Sequence, residues 1–189
     1  MKFIINESGI LEKVGFADEP GIVIPDGVRN IGEGEFCPPV ALIDVVVPDS
    51  VTGIGDSAFA GCDRIVGVRI PDSVKYIGNK AFYDCYSLMY VTMGDGVTSI
   101  EDDAFADCNQ LENVVLSKSL TSIGDRAFAW CESLGCLTMT NSVTSIGDRT
   151  FYGCGADFVL RSPAGSYAES YAIENNLMFS APTLCQELC

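Results

Sequence analysis

Nine cysteines and no histidine in 189 residues set the limits on the chemistry this chain can do. Cys62, Cys85, Cys108, Cys131 and Cys154 recur every 23 residues, whereas Cys37, Cys136, Cys185 and Cys189 fall outside that spacing. A nucleophilic thiol needs a neighbouring base, and the commonest one is missing. Zinc needs ligands that converge tetrahedrally, with no imidazole here to help. A disulfide needs facing Cβ atoms, yet residues in register on coils stacked about 4.8 Å apart point the same way. The five-membered column therefore reads as buried, reduced thiols that pack as small hydrophobes. Cys185 and Cys189 could pair with each other or with another chain. The odd total favours a reducing compartment.

The carboxylates give a similar answer. Asp49, Asp72 and Asp95 repeat at one turn, and Asp56, Asp102, Asp125 and Asp148 at another. Repetition at a turn argues for turn-making and against a single acid pair with split pKa values. Stacked aspartates could collect calcium, although dedicated calcium loops carry denser Asp/Asn spacing. No nucleophile elbow, P-loop or dinucleotide fingerprint occurs. The expectation is a protein that is not an enzyme, with no catalytic residue, no metal site and no cofactor.

Composition narrows the partners. Eleven basic against 26 acidic residues give a net charge of −15, which repels phosphate backbones and anionic lipid, so no nucleic-acid partner is expected. The same charge keeps a β-rich surface soluble. No apolar run approaches the roughly 20 residues a bilayer requires, so no membrane insertion is expected. The N-terminal MKFIINESGI is far short of a signal-peptide core. As written the chain is cytoplasmic, or it is the mature form of something exported.

The cysteine column is one of several. Phe36, Phe59, Phe82, Phe105, Phe128 and Phe151 keep the same 23-residue spacing, as do Ile31, Ile54, Ile77, Ile100, Ile123 and Ile146. Five windows align without a gap, beginning at Val47, Ile70, Met93, Leu116 and Met139. A sixth, from Ile24, fits except around Cys37-Pro38-Pro39. A fixed period of this length signals a stacked array whose units bury their apolar faces on one another. Within each window Val-Thr-x-Ile alternates as a short strand, and Gly-Asp turns the chain. Ala-Phe-x-x-Cys-x-x-Leu is spaced so that one helical turn buries Phe, Cys and Leu together. Leu-x-x-Val-x-Ile then forms a second strand, ended by Pro48, Pro71 or a substitute.

The repeated I-P-D-S-V-T-x-I-G-D-x-A-F-x-x-C-x-x-L-x-x-V resembles the BspA-type leucine-rich repeat family over about Ile24 to Leu160. FIINESGILEKVGFADEPGIVIPDGV resembles that family's opening module, and SPAGSYAESYAIENNLMF its closing segment, with a short helix over Tyr167 to Asn176. The expected fold is a right-handed, β-rich leucine-rich repeat solenoid of about six coils with short helical turns. An N-terminal capping module (1–23), the array (24–161), a C-terminal helical cap (162–180) and a tail (181–189) divide the chain. Both ends being present suggests a complete small array. Glu101 for the turn glycine, Met93-Gly94 and Leu116-Ser117 for Ile-Pro, and Gly155-Ala156-Asp157 depart from the pattern.

Strand alternation then places a candidate recognition face. If Val45, Val47, Val68, Ile70, Val91 and Met93 point inward, then Asp44, Val46, Gly67, Arg69, Tyr90, Thr92, Asn113, Val115, Cys136 and Thr138 point outward. The resemblance implies that this face lines the concave side, where partners bind. Arg69 and Tyr90 are its only typical hot-spot types. The opposite strand shows a plain polar row, Thr52, Thr98, Thr121 and Thr144. Trp130, where other coils hold Gly or Asp, is expected to pack on its neighbours. The functional expectation is a protein-interaction or adhesion module. Its partner is a protein, host or extracellular by the resemblance, which also gives cell-surface or secreted as the alternative location. An intracellular scaffold of the same fold is the alternative function, and an enzyme or a calcium-dependent adhesin ranks lower.

Overall fold

A computed structural model describes residues 2–15, 21–32 and 44–181. Phe36, Cys37, Cys185 and Cys189 lie outside these residues. In chain order the strands begin with β1 (Lys2–Ile5), β2 (Ile10–Gly15), β3 (Gly21–Val23), β4 (Asn30–Ile31) and β5 (Asp44–Val46). Next come β6 (Gly53–Ile54), β7 (Gly67–Ile70), β8 (Tyr76–Ile77), β9 (Tyr90–Met93) and β10 (Ser99–Ile100). The rest are β11 (Asn113–Val115), β12 (Ser122–Ile123), β13 (Cys136–Thr138), β14 (Ser145–Ile146), β15 (Val159–Arg161) and β16 (Met178–Ser180). The single described helix, α1 (Tyr167–Glu174), precedes β16.

The 23-residue period becomes coil-on-coil stacking. Two-residue strands β4, β6, β8, β10, β12 and β14 pair in parallel register, continued by the antiparallel hairpin β1–β2. The longer strands form a second sheet in the order β11-β9-β7-β5-β3, and β13-β15-β16 form a third. The stacking expected from the gapless windows is therefore interrupted once, because β11 does not pair with β13. On the coil-four side of that break Val114 and Leu116, at inward repeat positions, stay partly exposed.

The turn segments differ from the helical turn that the apolar spacing suggests. They are runs of three-residue-closed turns in which left-handed residues recur at Ser57, Lys80, Asp103, Arg126 and Arg149. A second left-handed column holds Gly61, Asp84, Asp107, Trp130 and Gly153. Alternating backbone hand turns every second N–H toward the next coil. Phe59 N–H donates to Ala81 O at 2.7 Å and Phe82 N–H to Ala104 O at 2.7 Å. The coils thus carry a third backbone ladder, which satisfies amides that a helix would have paired internally. The side chains still converge as expected: Phe82, Cys85 and Leu88 are all fully buried.

The core is a set of columns. Phe59, Phe82, Phe105, Phe128 and Phe151 stack face to face with ring centroids 5.1 to 6.0 Å apart. Phe158 stacks on Phe151 at 5.0 Å and Tyr171 of α1 meets Phe151 edge-on, so aromatic rings cover this end of the stack. The helix starts on Ser166, whose Oγ accepts the Glu169 N–H at 3.2 Å. Thr52, Thr98, Thr121 and Thr144 form a polar row outside the short-stranded sheet, each hydroxyl donating to a carbonyl one coil back at 2.9 to 3.4 Å.

Candidate functional site

The cysteine column explains itself once the coils are stacked. The Sγ–H of Cys85, Cys108, Cys131 and Cys154 donates to the carbonyl of Phe59, Phe82, Phe105 and Phe128 respectively, at 3.1 to 3.3 Å. A small apolar group with one weak donor fits that position. Burial pushes the Cys108 and Cys131 thiols well up, and raises Cys154 to about 12. These four are free thiols. With Cys154 that far above its ordinary value of 9.0, its thiolate fraction at pH 8 is about 10⁻⁴. Iodoacetamide at pH 8 should leave all four unmodified in folded protein and label them in 6 M guanidine; labelling without denaturant would refute this burial.

One cysteine of the column departs from the reduced-thiol expectation. Cys62, its first member, is disulfide-bonded, and so is Cys136, which lies off the column. Their partner sulfurs lie outside the described residues. The geometric objection holds only between cysteines in register, and the position one coil before Cys62 is Pro39. Bonds of this kind persist in oxidising compartments.

The repeated aspartates build turns. Asp56 Oδ1 accepts the Asn79 N–H at 2.8 Å, Asp102 that of Asp125 at 2.7 Å, and Asp125 that of Asp148 at 2.8 Å. Asp72 and Asp95 do the same for Asp95 and Lys118. The Lys118 backbone N–H and ammonium hold Asp95 below the usual carboxylate range. Arg126 forks onto Asp103 at 2.8 and 2.9 Å. Among the described residues, no three His, Cys, Asp or Glu side chains converge as a metal site.

The outward face of the longer strands remains. Val45, Val47, Val68, Ile70, Val91 and Met93 are buried, so the alternation runs as expected. Val46, Tyr90 and Val115 are 56%, 48% and 57% exposed, and Arg69, Asn113 and Thr138 are exposed beside them. Thr92 and Cys136 are half-buried. Asp44 belongs to β5, but its side chain lies outside the description. Gly67, expected outward, is buried because the Tyr90 ring covers it, where a Cβ would collide with the ring. Tyr90, Asn113 and Thr92, Val115 are in register across β9 and β11, as Val46 and Arg69 are across β5 and β7.

The sequence reading missed a cleft of about 460 Å³ at the end of this face, lined by Asp49, Arg69, Asp72, Ser73, Thr92 and Met93 among others. Among the described residues Arg69 forms no ion pair. The signal was in the register, since Asp49 and Asp72 are one period apart and flank the coil edge that Arg69 ends. A second missed cluster sits on the turn edge. Trp130 meets Tyr152 edge-on at 5.2 Å and covers Gly153, and the Arg149 guanidinium lies over the Tyr152 ring. Trp130 packs on its neighbours and is 44% exposed as well.

Residues 29–157 match the family described as BspA type Leucine rich repeat region, in six copies. No match was found among curated proteins. A leucine-rich repeat protein of T. pallidum is 27% identical with a TM-score of 0.62, over 85% of this chain and 67% of that one. A leucine-rich cell surface protein from Faecalibacterium prausnitzii A2-165 is 31% identical with a TM-score of 0.59, over 85% and 52%. A leucine-rich repeat protein from Bacteroides ovatus shares the fold at 22% identity and a TM-score of 0.54, over 96% and 51%. The chain thus spans between half and two thirds of the length of these proteins.

Proposed function

The chain belongs to the BspA-type leucine-rich repeat family, and from that premise we propose that it is a non-catalytic protein-binding module whose partner docks on the outward face of β5, β7, β9 and β11. One observation carries the reading. Tyr90 rests over Gly67, half its surface open, in the row beside the exposed Val46, Arg69 and Val115. Tyr and Arg are hot-spot types, and a ring already fixed on the backbone loses little freedom when a partner covers it. The opposite sheet carries a threonine row whose hydroxyls already donate to the coil behind, and one exposed aromatic, Tyr76, over Gly53. In leucine-rich arrays the longer-stranded face is the concave one, which suits a convex protein surface.

The disulfide-bonded Cys62 and Cys136 favour an exported protein acting at the cell surface or beyond it, where such bonds persist. The F. prausnitzii relative is described as a cell surface protein, which agrees. The intracellular scaffold remains the competing reading. Fractionation of the producing cell separates the two: recovery from the cytosol with every cysteine reactive would favour the scaffold.

Capture tests the face itself. Immobilised protein and an Arg69→Ala/Tyr90→Ala variant are presented with the same panel of purified extracellular proteins. The expected loss is at least about 30-fold for any specific partner, the equivalent of one hot spot. A Thr98→Ala/Thr121→Ala variant on the opposite sheet should bind normally. Equal capture by the Arg69/Tyr90 variant would move the site elsewhere.

A further inference from the structure

The turn edge ends in a cleft that the strand face does not use. It holds about 290 Å³ between the last coil and the end of α1, room for one ring-sized group. Phe151, Tyr171 and Leu177 give it apolar walls, while Arg149, Tyr152 and Asn175 bring polar atoms. Gly153 lines it too, and the Trp130 indole covers that glycine, so Trp130 stands at the lip. Both Trp130 and Tyr152 are exposed. The left-handed column that Trp130 belongs to holds Gly61, Asp84, Asp107 and Gly153 elsewhere. Bulky residues are uncommon on such backbone, and the turn itself does not call for an indole.

The charge at this cleft is open as well. Arg126 reaches back one coil and forks onto Asp103. The residue one coil behind Arg149 is Arg126 itself, so no acid waits there. Among the described residues Arg149 forms no ion pair, and its guanidinium lies 6.0 Å from the centre of the Tyr152 ring. A guanidinium so placed favours a carboxylate, which it can hold by charge-assisted hydrogen bonds. Across the cleft Asn175 donates from Nδ2 to Tyr171 O at 2.9 Å. Its Oδ1 accepts nothing from the described residues and is left for a ligand's donor.

Each group specifies part of a ligand. The aromatic rings take a face of C–H groups, Asn175 Oδ1 takes a hydroxyl, and Arg149 takes an acid. We propose that this cleft binds a single sugar ring bearing a carboxylate, a hexuronic or a sialic acid residue. Arg149 holds the acid, Asn175 a ring hydroxyl, and Tyr152 and Trp130 the apolar face. The net charge of −15 opposes a polyanion, so the ligand carries one acid and not a run of them. An acidic side chain of a protein would satisfy Arg149 but leave both rings and Asn175 unused. The site is separate from the face of β5, β7, β9 and β11 and does not rest on docking there.

Trp130 is the single tryptophan of the chain, so its emission reads this cleft directly. Methyl β-D-glucuronide and methyl α-N-acetylneuraminate are titrated into the whole folded chain. Saturation transfer to their ring protons is followed beside Trp130 emission. At least one sugar should give both signals with half-saturation at about 1 mM, and the tighter of the two names the source. Methyl β-D-glucoside, which lacks the acid, should bind at least about 10-fold more weakly. The acidic sugar should lose as much on Arg149→Met, which keeps the apolar stem and the native far-UV circular dichroism. No saturation transfer from either acidic sugar at about 20 mM would overturn the site. So would transfer with Trp130 emission unchanged, or undiminished binding to Arg149→Met. Displacement of the sugar by an equal concentration of acetate would also overturn it, marking a plain carboxylate site of the kind a protein side chain fills.

Discussion

Phe105→Ala is expected to cost about 3–5 kcal/mol of stability, the range for deleting a buried phenylalanine. Phe105 has no exposed surface and lies between Phe82 at 5.1 Å and Phe128 at 5.3 Å, with ring planes within 2° and 6° of parallel. Truncation therefore removes two aromatic contacts and opens a cavity between coils whose backbones are fixed by ladders on several sides. Such a frame collapses poorly, which puts the cost toward the upper end. For a chain of this length the melting temperature should fall by about 10 °C. Because each coil touches only its neighbours, a break in the middle also uncouples the two halves. Thermal unfolding followed by far-UV circular dichroism should then lose its single sharp transition. A shift below about 2 °C would sink the stacked-column account. Tyr90→Ala, on the exposed face, should leave the transition where it is.

A second large effect is expected at alkaline pH. Cys108 and Cys131 are held well above the ordinary thiol value of 9.0 by burial, and Cys154 is pushed up to about 12. In the unfolded chain these thiols ionise from about pH 9, whereas in the folded chain they keep their protons. Above that point the folded state binds more protons than the unfolded one, so stability falls as pH rises. Each thiol contributes a slope of up to about 1.4 kcal/mol per pH unit, or about 4 for the three together. Urea midpoints should be flat from pH 7 to about 9 and then drop steeply toward pH 10.5. Cys131→Ala should flatten that drop by roughly a third, since it removes one of three equal contributions. Tyr83, raised chiefly by its hydrogen bond to Asp107, and Tyr171, raised by burial, add to the decline only above their ordinary 10.0. A midpoint that stays level through pH 10.5 would show the column to be solvated.

The parts of this molecule that repeat could be read from its letters. Strict spacing put Phe82, Ile77 and Cys85 in the core, and period-two alternation put Arg69, Tyr90 and Val115 outside, because burial on a strand depends on position alone. The path of the turns could not be read. Left-handed backbone occurs at Lys80, Asp103 and Arg126, three residue types with no common preference for it. Their conformation is imposed by amides reaching for the next coil, which no local propensity encodes. The cleft around Arg69 was hidden for a related reason, since Asp49 and Asp72 reach it from two coils. The interruption between β11 and β13 left no trace in windows that align without a gap. The disulfide bonding of Cys62 and Cys136 could not be read from the count of cysteines.

That interruption also bears on how the array responds to force. At most junctions a coil is tied to the next along three edges, and an axial pull would be shared among them. Between the fourth and fifth coils the short-stranded edge holds through Ser99 with Ser122 and Ile100 with Ile123, and the turn edge through Phe105 N–H to Ala127 O at 2.8 Å. The long-stranded edge carries no strand pairing there. Strain would collect at that edge, so the rod has a preferred place to flex, with Val115 on its lip. A partner gripping Tyr90 and Val115 would sit against the most compliant joint of the array.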